Sequence, residues 1–192
     1  MDKSSNKSAE ILKKGGIIAF PTDTAFGIGC RIDDFEAVKK LFSIRRRSTH
    51  KATPVLVSNI AMARQWVDAI SIDAQGVIEK YWPGGLTLVL PSHNERVAPL
   101  VKGGTDTLGV RMPDYPELLQ VIDEVGVPII GSSANFEGGQ TPFRRYDLNP
   151  ELAAQVDHVM EGECRGNVSS TVVDCTTTPF TILREGAVKI QF

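Results

Sequence analysis

Apolar positions along the chain follow two rhythms, a helical one near 3.6 residues and short continuous runs. Ala9, Ile11 and Leu12 give the opening segment an apolar side, with Ser4 or Ser5 as cap and Gly15-Gly16 as stop. That pattern predicts an amphipathic helix. Ile17 to Phe20 is a short apolar run ended by Pro21, the mark of a buried strand. A polar, glycine-containing stretch, Thr22 to Gly29, follows it. Behind Asp33 or Asp34 as cap, Phe35, Val38, Leu41 and Phe42 recur at helical spacing, and this second helix ends in Arg45-Arg46-Arg47.

The same two rhythms continue to the C-terminus. Strands are predicted at Pro54 to Val57, Leu86 to Leu90, Thr107 to Met112 and Pro128 to Ile130. Helices are predicted at Ile60 to Val67, Ala74 to Tyr81, from Pro116 to a stop at Gly126, and briefly from Pro150. Residues 136 to 149 are polar and read as a loop. Thr171 to Asp174, Thr181 to Arg184 and Ala187 to Phe192 suggest a β finish. Strands alternating with helices indicate an α/β protein, a sheet with helices packed against it. No linker or repeat interrupts residues 1–192, so one domain is expected.

Composition narrows the class. Hydrophobic residues make up 42% of the chain, enough for a packed core, and 21 Lys plus Arg stand against 23 Asp plus Glu. Binding nucleic acid by bulk charge is therefore not indicated; an anion would need a local patch. Cys30, Cys164 and Cys175 are scattered and make no C-x-x-C pair, which argues against a disulfide framework. The charged start, MDKSSNKSAE, lacks the apolar core of a signal peptide, and no apolar run reaches the roughly 18 residues of a membrane span. A cytoplasmic location is expected, with no membrane partner.

Several common chemistries lack their motifs. No G-x-x-x-x-G-K-S/T occurs, and Ile32 stands where a dinucleotide fingerprint beginning at Gly27 would need its third glycine. His50, His93 and His158 form no metal-ligand pair, so no metal site is expected. Gly131-Ser132-Ser133-Ala134-Asn135 resembles a nucleophile elbow, but Asn135 replaces its second glycine.

Other residues carry candidate chemistry. Thr22 and Thr24 follow the first strand, where open α/β sheets bind ligands; their hydroxyls serve a ligand or satisfy the local backbone. Arg45, Arg46, Arg47 and Lys51 are solvated charge at a helix end or, if the chain is extended, a two-guanidinium clamp for phosphate or carboxylate. Ser133 and Asn135 alternate after a strand, facing one ligand or forming an Asx-type turn. Arg111 sits in an apolar strand, where it needs an acidic partner or a ligand. Arg184 closes the last hairpin strand. Trp82 reads as core rather than as a stacking platform.

Together these pieces resemble the YrdC/Sua5/TsaC family, the L-threonylcarbamoyladenylate synthases. Pro21-Thr22-Asp23-Thr24-Ala25-Phe26-Gly27 is similar to the family's P-T-D/E-T-x-Y/F-G, and Arg45-Arg46-Arg47 falls where it has K-x-R. Trp82-Pro83-Gly84-Gly85-Leu86-Thr87 resembles W/Y-P-G-x-L/V-T, and Thr107 to Pro113 a strand ending V-R-x-P. Ser133-Ala134-Asn135, Ser170-Thr171-Val172-Val173-Asp174 and Leu183-Arg184-Glu185-Gly186 match S-A-N, S-T-V-V/I-D and L-R-x-G.

The resemblance implies a twisted mixed sheet, YrdC-like, around a concave, positively charged groove. It implies synthesis of L-threonylcarbamoyl-AMP and pyrophosphate from L-threonine, bicarbonate (or CO2) and ATP, for t6A37 modification of tRNA. Arg45 and Arg47 would be catalytic and, with Ser133, Asn135, Ser170 and Arg184, would bind the nucleotide. Thr22, Thr24 and Arg111 would lie on the threonine side. ATP would enter as substrate with Mg²⁺. Downstream t6A transfer proteins, and tRNA itself, are the implied partners. Two departures are visible: Arg45 stands where lysine is usual, and Ser48 where proline commonly follows the second basic residue. The chain resembles the short, freestanding form. The alternative is an RNA-binding or regulatory YrdC-like paralogue without synthase activity.

Overall fold

The computed structural model describes residues 3–191. Its first helix, α1 (Lys3–Lys13), contains Ser4 and Ser5 rather than being capped by them. The reason is tertiary: Ser4 Oγ accepts from the Glu161 N–H at 3.1 Å, so the hydroxyl ties the helix to a distant segment. β1 (Ile18–Phe20) is wholly buried, and β2 (Gly27–Gly29) follows inside the stretch read as polar connection. Asp34 caps α2 (Phe35–Ile44), its Oδ1 accepting from the Ala37 N–H at 3.0 Å. β3 (Val55–Leu56) leads to α3 (Ile60–Arg64), capped by Asn59, and α4 (Ile72–Tyr81), capped by Ser71. Then come β4 (Leu86–Pro91), α5 (Pro99–Lys102), β5 (Thr107–Arg111) and α6 (Pro116–Val125), which ends on left-handed Gly126. The remainder is β6 (Ile129–Ile130), β7 (Ser132–Ser133), a 3-10 turn at Arg145–Asp147, α7 (Pro150–Ala153), β8 (His158–Val159), β9 (Thr171–Asp174) and β10 (Thr181–Arg184).

The mixed α/β class is as expected, but the strands divide into two sheets. One has the order β7-β2-β1-β8, the other β10-β9-β4-β5-β3-β6, and each mixes parallel and antiparallel pairs. The expected strand at Ala187 to Phe192 does not form: residues 187–191 are irregular, and Phe192 lies outside the described residues. Thr171 Oγ1 accepts from the Val188 N–H and donates to the Val188 carbonyl, so one side chain takes the place of a ladder. Trp82 is buried, its Nε1 donating to Leu86 O at 2.8 Å. No helix among the described residues is long and apolar enough to cross a membrane.

Alternation in the larger sheet separates core from cavity. In β5, Leu108 and Val110 are buried in the core while Thr107, Gly109 and Arg111 face a hollow. In β4, Leu86, Leu88 and Leu90 go to the core, and Thr87 and Val89 to the same hollow. Register keeps those faces aligned, with Val89 opposite Gly109 and Thr87 opposite Val172. The second wall comes from the smaller sheet through Phe20, Gly27, Ser132 and Ser133.

The sheets touch where β2 leaves one and β6 borders the other. The Ile130 N–H donates to Cys30 O at 2.8 Å, and a Cβ on Gly29 would lie 1.9 Å from Ile130 O. Only glycine allows that approach of two backbones. Gly29→Ala is therefore expected to cost at least about 3 kcal/mol in denaturant unfolding, because no side chain can move aside to relieve the clash. A loss under about 1 kcal/mol would show that the sheets can separate there at little cost.

Candidate active site

The hollow between the sheets has a volume of about 470 Å³, and it gathers all nine residues that the resemblance assigns to the site, while Arg46, Lys51 and Trp82 stay outside its lining. Arg45, Arg47, Ser133 and Asn135 line one part of it, Ser170 and Arg184 another, and Thr22, Thr24 and Arg111 a third. Residues from six separated segments thus open onto one space.

The arginine triplet reaches it by a different route from extension. Arg45 is the C-cap of α2 in right-handed conformation, and Arg46 has φ 52°. The Arg47 N–H donates to Phe42 O and the Arg46 N–H to Ser43 O, a Schellman turn with arginine where glycine is usual. The turn sends Arg45 and Arg47 to the cavity. Arg46 goes outward, stacking over the Phe136 ring at 4.2 Å and pairing with Glu151.

Arg45 is 3% exposed. Its Nε donates to Asn135 O at 3.1 Å, Nη2 to Asn135 Oδ1 at 2.9 Å, and Nη1 to Ser132 Oγ. Asn135 Nδ2 in turn donates to Gly139 O at 2.6 Å. Arg45 and Asn135 therefore brace one another, and the guanidinium fixes the loop that carries Ser133. Arg47 is half-buried, with Nη2 donating to Ala52 O at 2.6 Å. Across the hollow, Arg184 donates through Nε and Nη2 to Ser170 O, and through Nη2 to Ser170 Oγ at 2.9 Å. Ser170 Oγ also lies 2.9 Å from Thr87 Oγ1.

On the third side Arg111 has found an acid. Its Nη2 pairs with Asp23, Nη1 donates to Thr24 Oγ1 at 2.8 Å, and Nε to Gly84 O at 2.9 Å. Thr22 is used locally: its Oγ1 accepts from the N–H groups of Thr24 and Ala25 and donates to Ala25 O at 2.8 Å. For these residues the structural readings hold within the protein itself, and the same bonds orient Thr24 and Arg111 at the cavity wall.

Charge is unevenly compensated. None of the ion pairs among the described residues involves Arg45, Arg47 or Arg184. Burial, with Arg47 nearby, pulls the Arg45 pKa down to about 10, still far above neutral pH, so the guanidinium stays charged at a cost. Burial lowers Arg47 as well. An anionic ligand would offset that cost. Thr53 Oγ1 adds a second sign of a missing polar partner: it is buried in the cavity wall with no hydrogen bond.

Sequence reasoning missed Ser132, Thr53, Asp23 and Glu137. Glu137 had a visible signal, since residues 133, 135 and 137 continue one alternation. Asp23 and Ser132 stood inside motif stretches, but their partners Arg111 and Arg45 lie 88 and 87 positions away, and Thr53 had no signal at all.

A family model described as telomere recombination, which groups Sua5, YciO and YrdC proteins, matches residues 10–186. The chain belongs to this Sua5/YciO/YrdC family. Among its relatives is the threonylcarbamoyl-AMP synthase of Bacillus subtilis, 31% identical over 95% of this chain and 53% of that protein. A second, from Xanthomonas campestris, carries the same name and is 31% identical over 84% of this chain and 87% of its own length. The crystal structure of Pyrococcus abyssi Sua5 complexed with L-threonine superposes with a TM-score of 0.90 at 32% identity, covering 95% of this chain and 54% of that one. The chain thus spans about half the length of the Bacillus and Pyrococcus relatives. The expected YrdC-like fold is the one this family member has.

Proposed function

We propose that this chain is an ATP-dependent L-threonylcarbamoyl-AMP synthase acting as one YrdC-like domain over residues 1–192. The observation that carries the proposal is the cavity itself: three guanidiniums without carboxylate partners converge there with the hydroxyls and amide of Ser133, Ser170 and Asn135. The names of the relatives, and the threonine complex of the Pyrococcus homologue, support the same reading.

In this reaction the threonine amine adds to the carbon of CO2 and loses a proton, or displaces water from bicarbonate as a C–O bond breaks, giving a carbamate. A carbamate oxygen then attacks the α-phosphorus of ATP, and the bond to pyrophosphate breaks. No protein nucleophile is required. The protein must bring anions together and stabilise charge on the transferred group. Arg45, Arg47 and Arg184, with Ser133, Asn135 and Ser170, take the nucleotide, while Thr24 and Arg111, oriented by Thr22 and Asp23, line the threonine side. Arg111 retains guanidinium hydrogens beyond its three internal bonds for a carboxylate. Mg²⁺ would arrive with ATP. Glu137 is the carboxylate among the described lining residues, and Lys51 and the Ser48 N–H already occupy it, so phosphates and water would hold the ion.

The product would supply t6A transfer proteins and, through them, tRNA, in the cytoplasm. The test is a pyrophosphate-release assay with single omissions. Release is expected only with threonine, bicarbonate and ATP together; release without threonine would refute the assignment.

A further inference from the structure

We infer that Glu137 is a positioning residue whose carboxylate clasps the Ser48–Lys51 loop and so sets Arg47 at the nucleotide side of the cavity. This rests on the synthase reading given above and deepens it. The segment after Asn135 touches the arginine loop at successive points. The Glu137 N–H donates to Arg45 O at 2.9 Å, Phe136 carries the Arg46 guanidinium, and Glu137 Oε2 accepts from the Ser48 N–H at 2.5 Å. Glu137 Oε1 pairs with Lys51 Nζ.

An exposed lysine–glutamate pair alone would count for little. Here the same carboxylate also holds a backbone N–H three residues earlier, so both ends of the loop after Arg47 are tied to one side chain. Its pKa lies below the ordinary glutamate value, first because of Lys51 and then because of the Ser48 N–H, so the clasp is charged at neutral pH. Arg47 lies next to the tied span, its guanidinium donating to the carbonyls of Lys51 and Ala52 and sitting over the Phe42 ring at 5.9 Å, with no carboxylate paired to it among the described residues. Residue 48 matters here. A proline would have no N–H to give, whereas Ser48 donates one to a carboxylate that also faces the cavity. A hydrogen bond and an ion pair thus do the work of a rigid ring.

The sign of the effect separates this role from bulk charge. Glu137 is an anion on the wall of an anion-binding cavity, so removing it should tighten ATP binding if it acts only through its field. If it positions Arg47, removing it should weaken binding. In Glu137→Ala, the KM for ATP is expected to rise on the order of tenfold, the size of losing a charge-assisted hydrogen bond, with the KM for threonine unchanged. Glu137→Gln, which keeps an acceptor for the Ser48 N–H, should fall between the two. Hydrogen exchange at the Ser48 amide, measured without ligand, should accelerate on the order of tenfold in Glu137→Ala. An unchanged Ser48 exchange rate overturns the clasp. A lower or unchanged KM for ATP, or an equal rise for threonine, overturns the positioning role. A wild-type protein that releases no pyrophosphate removes the synthase reading instead, and the exchange measurement still decides the clasp.

Discussion

Arg111→Met is expected to lower stability by about 3–5 kcal/mol, because it strands the Asp23 carboxylate in a site built for a pair. Arg111 is 6% exposed, and its guanidinium also serves Thr24 Oγ1 and Gly84 O, so three acceptors lose their donor at once. For a chain of this size, each kcal/mol shifts the melting temperature by about 2–4 °C, so a drop of about 10 °C should be seen by calorimetry. Adding Asp23→Asn should recover part of it, since the amide removes the uncompensated charge. A single variant melting within about 2 °C of wild type would mean that water reaches Asp23 and that the pair is not a buried one.

The second large effect separates two neighbouring arginines. Arg45→Ala and Arg47→Ala should each reduce kcat/KM by roughly a hundredfold or more, the usual loss when a preorganised donor to developing charge is removed. Their stabilities should diverge. Arg45 braces Asn135 and Ser132 from a buried position, so its loss leaves unsatisfied acceptors and a void, at about 2–3 kcal/mol. Arg47 bonds the carbonyls of Lys51 and Ala52 near solvent, which water can replace, so its variant should unfold within about 0.5 kcal/mol of wild type. Paired denaturant titrations and steady-state kinetics would settle it. Equal destabilisation, or unchanged turnover in Arg47→Ala, would contradict the division of roles.

What the sequence made legible follows from length and period. β5 reads directly, because Thr107 to Arg111 alternates over enough residues to separate two faces, and α2 reads because four apolar positions and a capping acid agree. β6, β7 and β8 have two residues each, too few for any period, and only Ile129–Ile130 fell within a predicted strand. β2 was hidden for another reason. Glycine has little strand propensity, yet Gly29 is there because Ile130 O comes so close. The motif residues were visible as types and spacings, and the fold brings them together. The Arg45–Arg47 grouping was reached by supposing an extended chain, whereas a left-handed Arg46 produces it. Arg111–Asp23 spans 88 positions, and no local pattern encodes such a partnership.

The turn at Arg46 makes identity and position independent of one another. Three consecutive side chains of the same kind point in different directions, two inward and one outward, and only the backbone distinguishes them. Inserting one residue between Ile44 and Arg45 would leave the count of guanidiniums untouched while reassigning which of them enters the hollow. This stretch is thus tolerant of composition and intolerant of frame, the reverse of an ordinary charged surface loop.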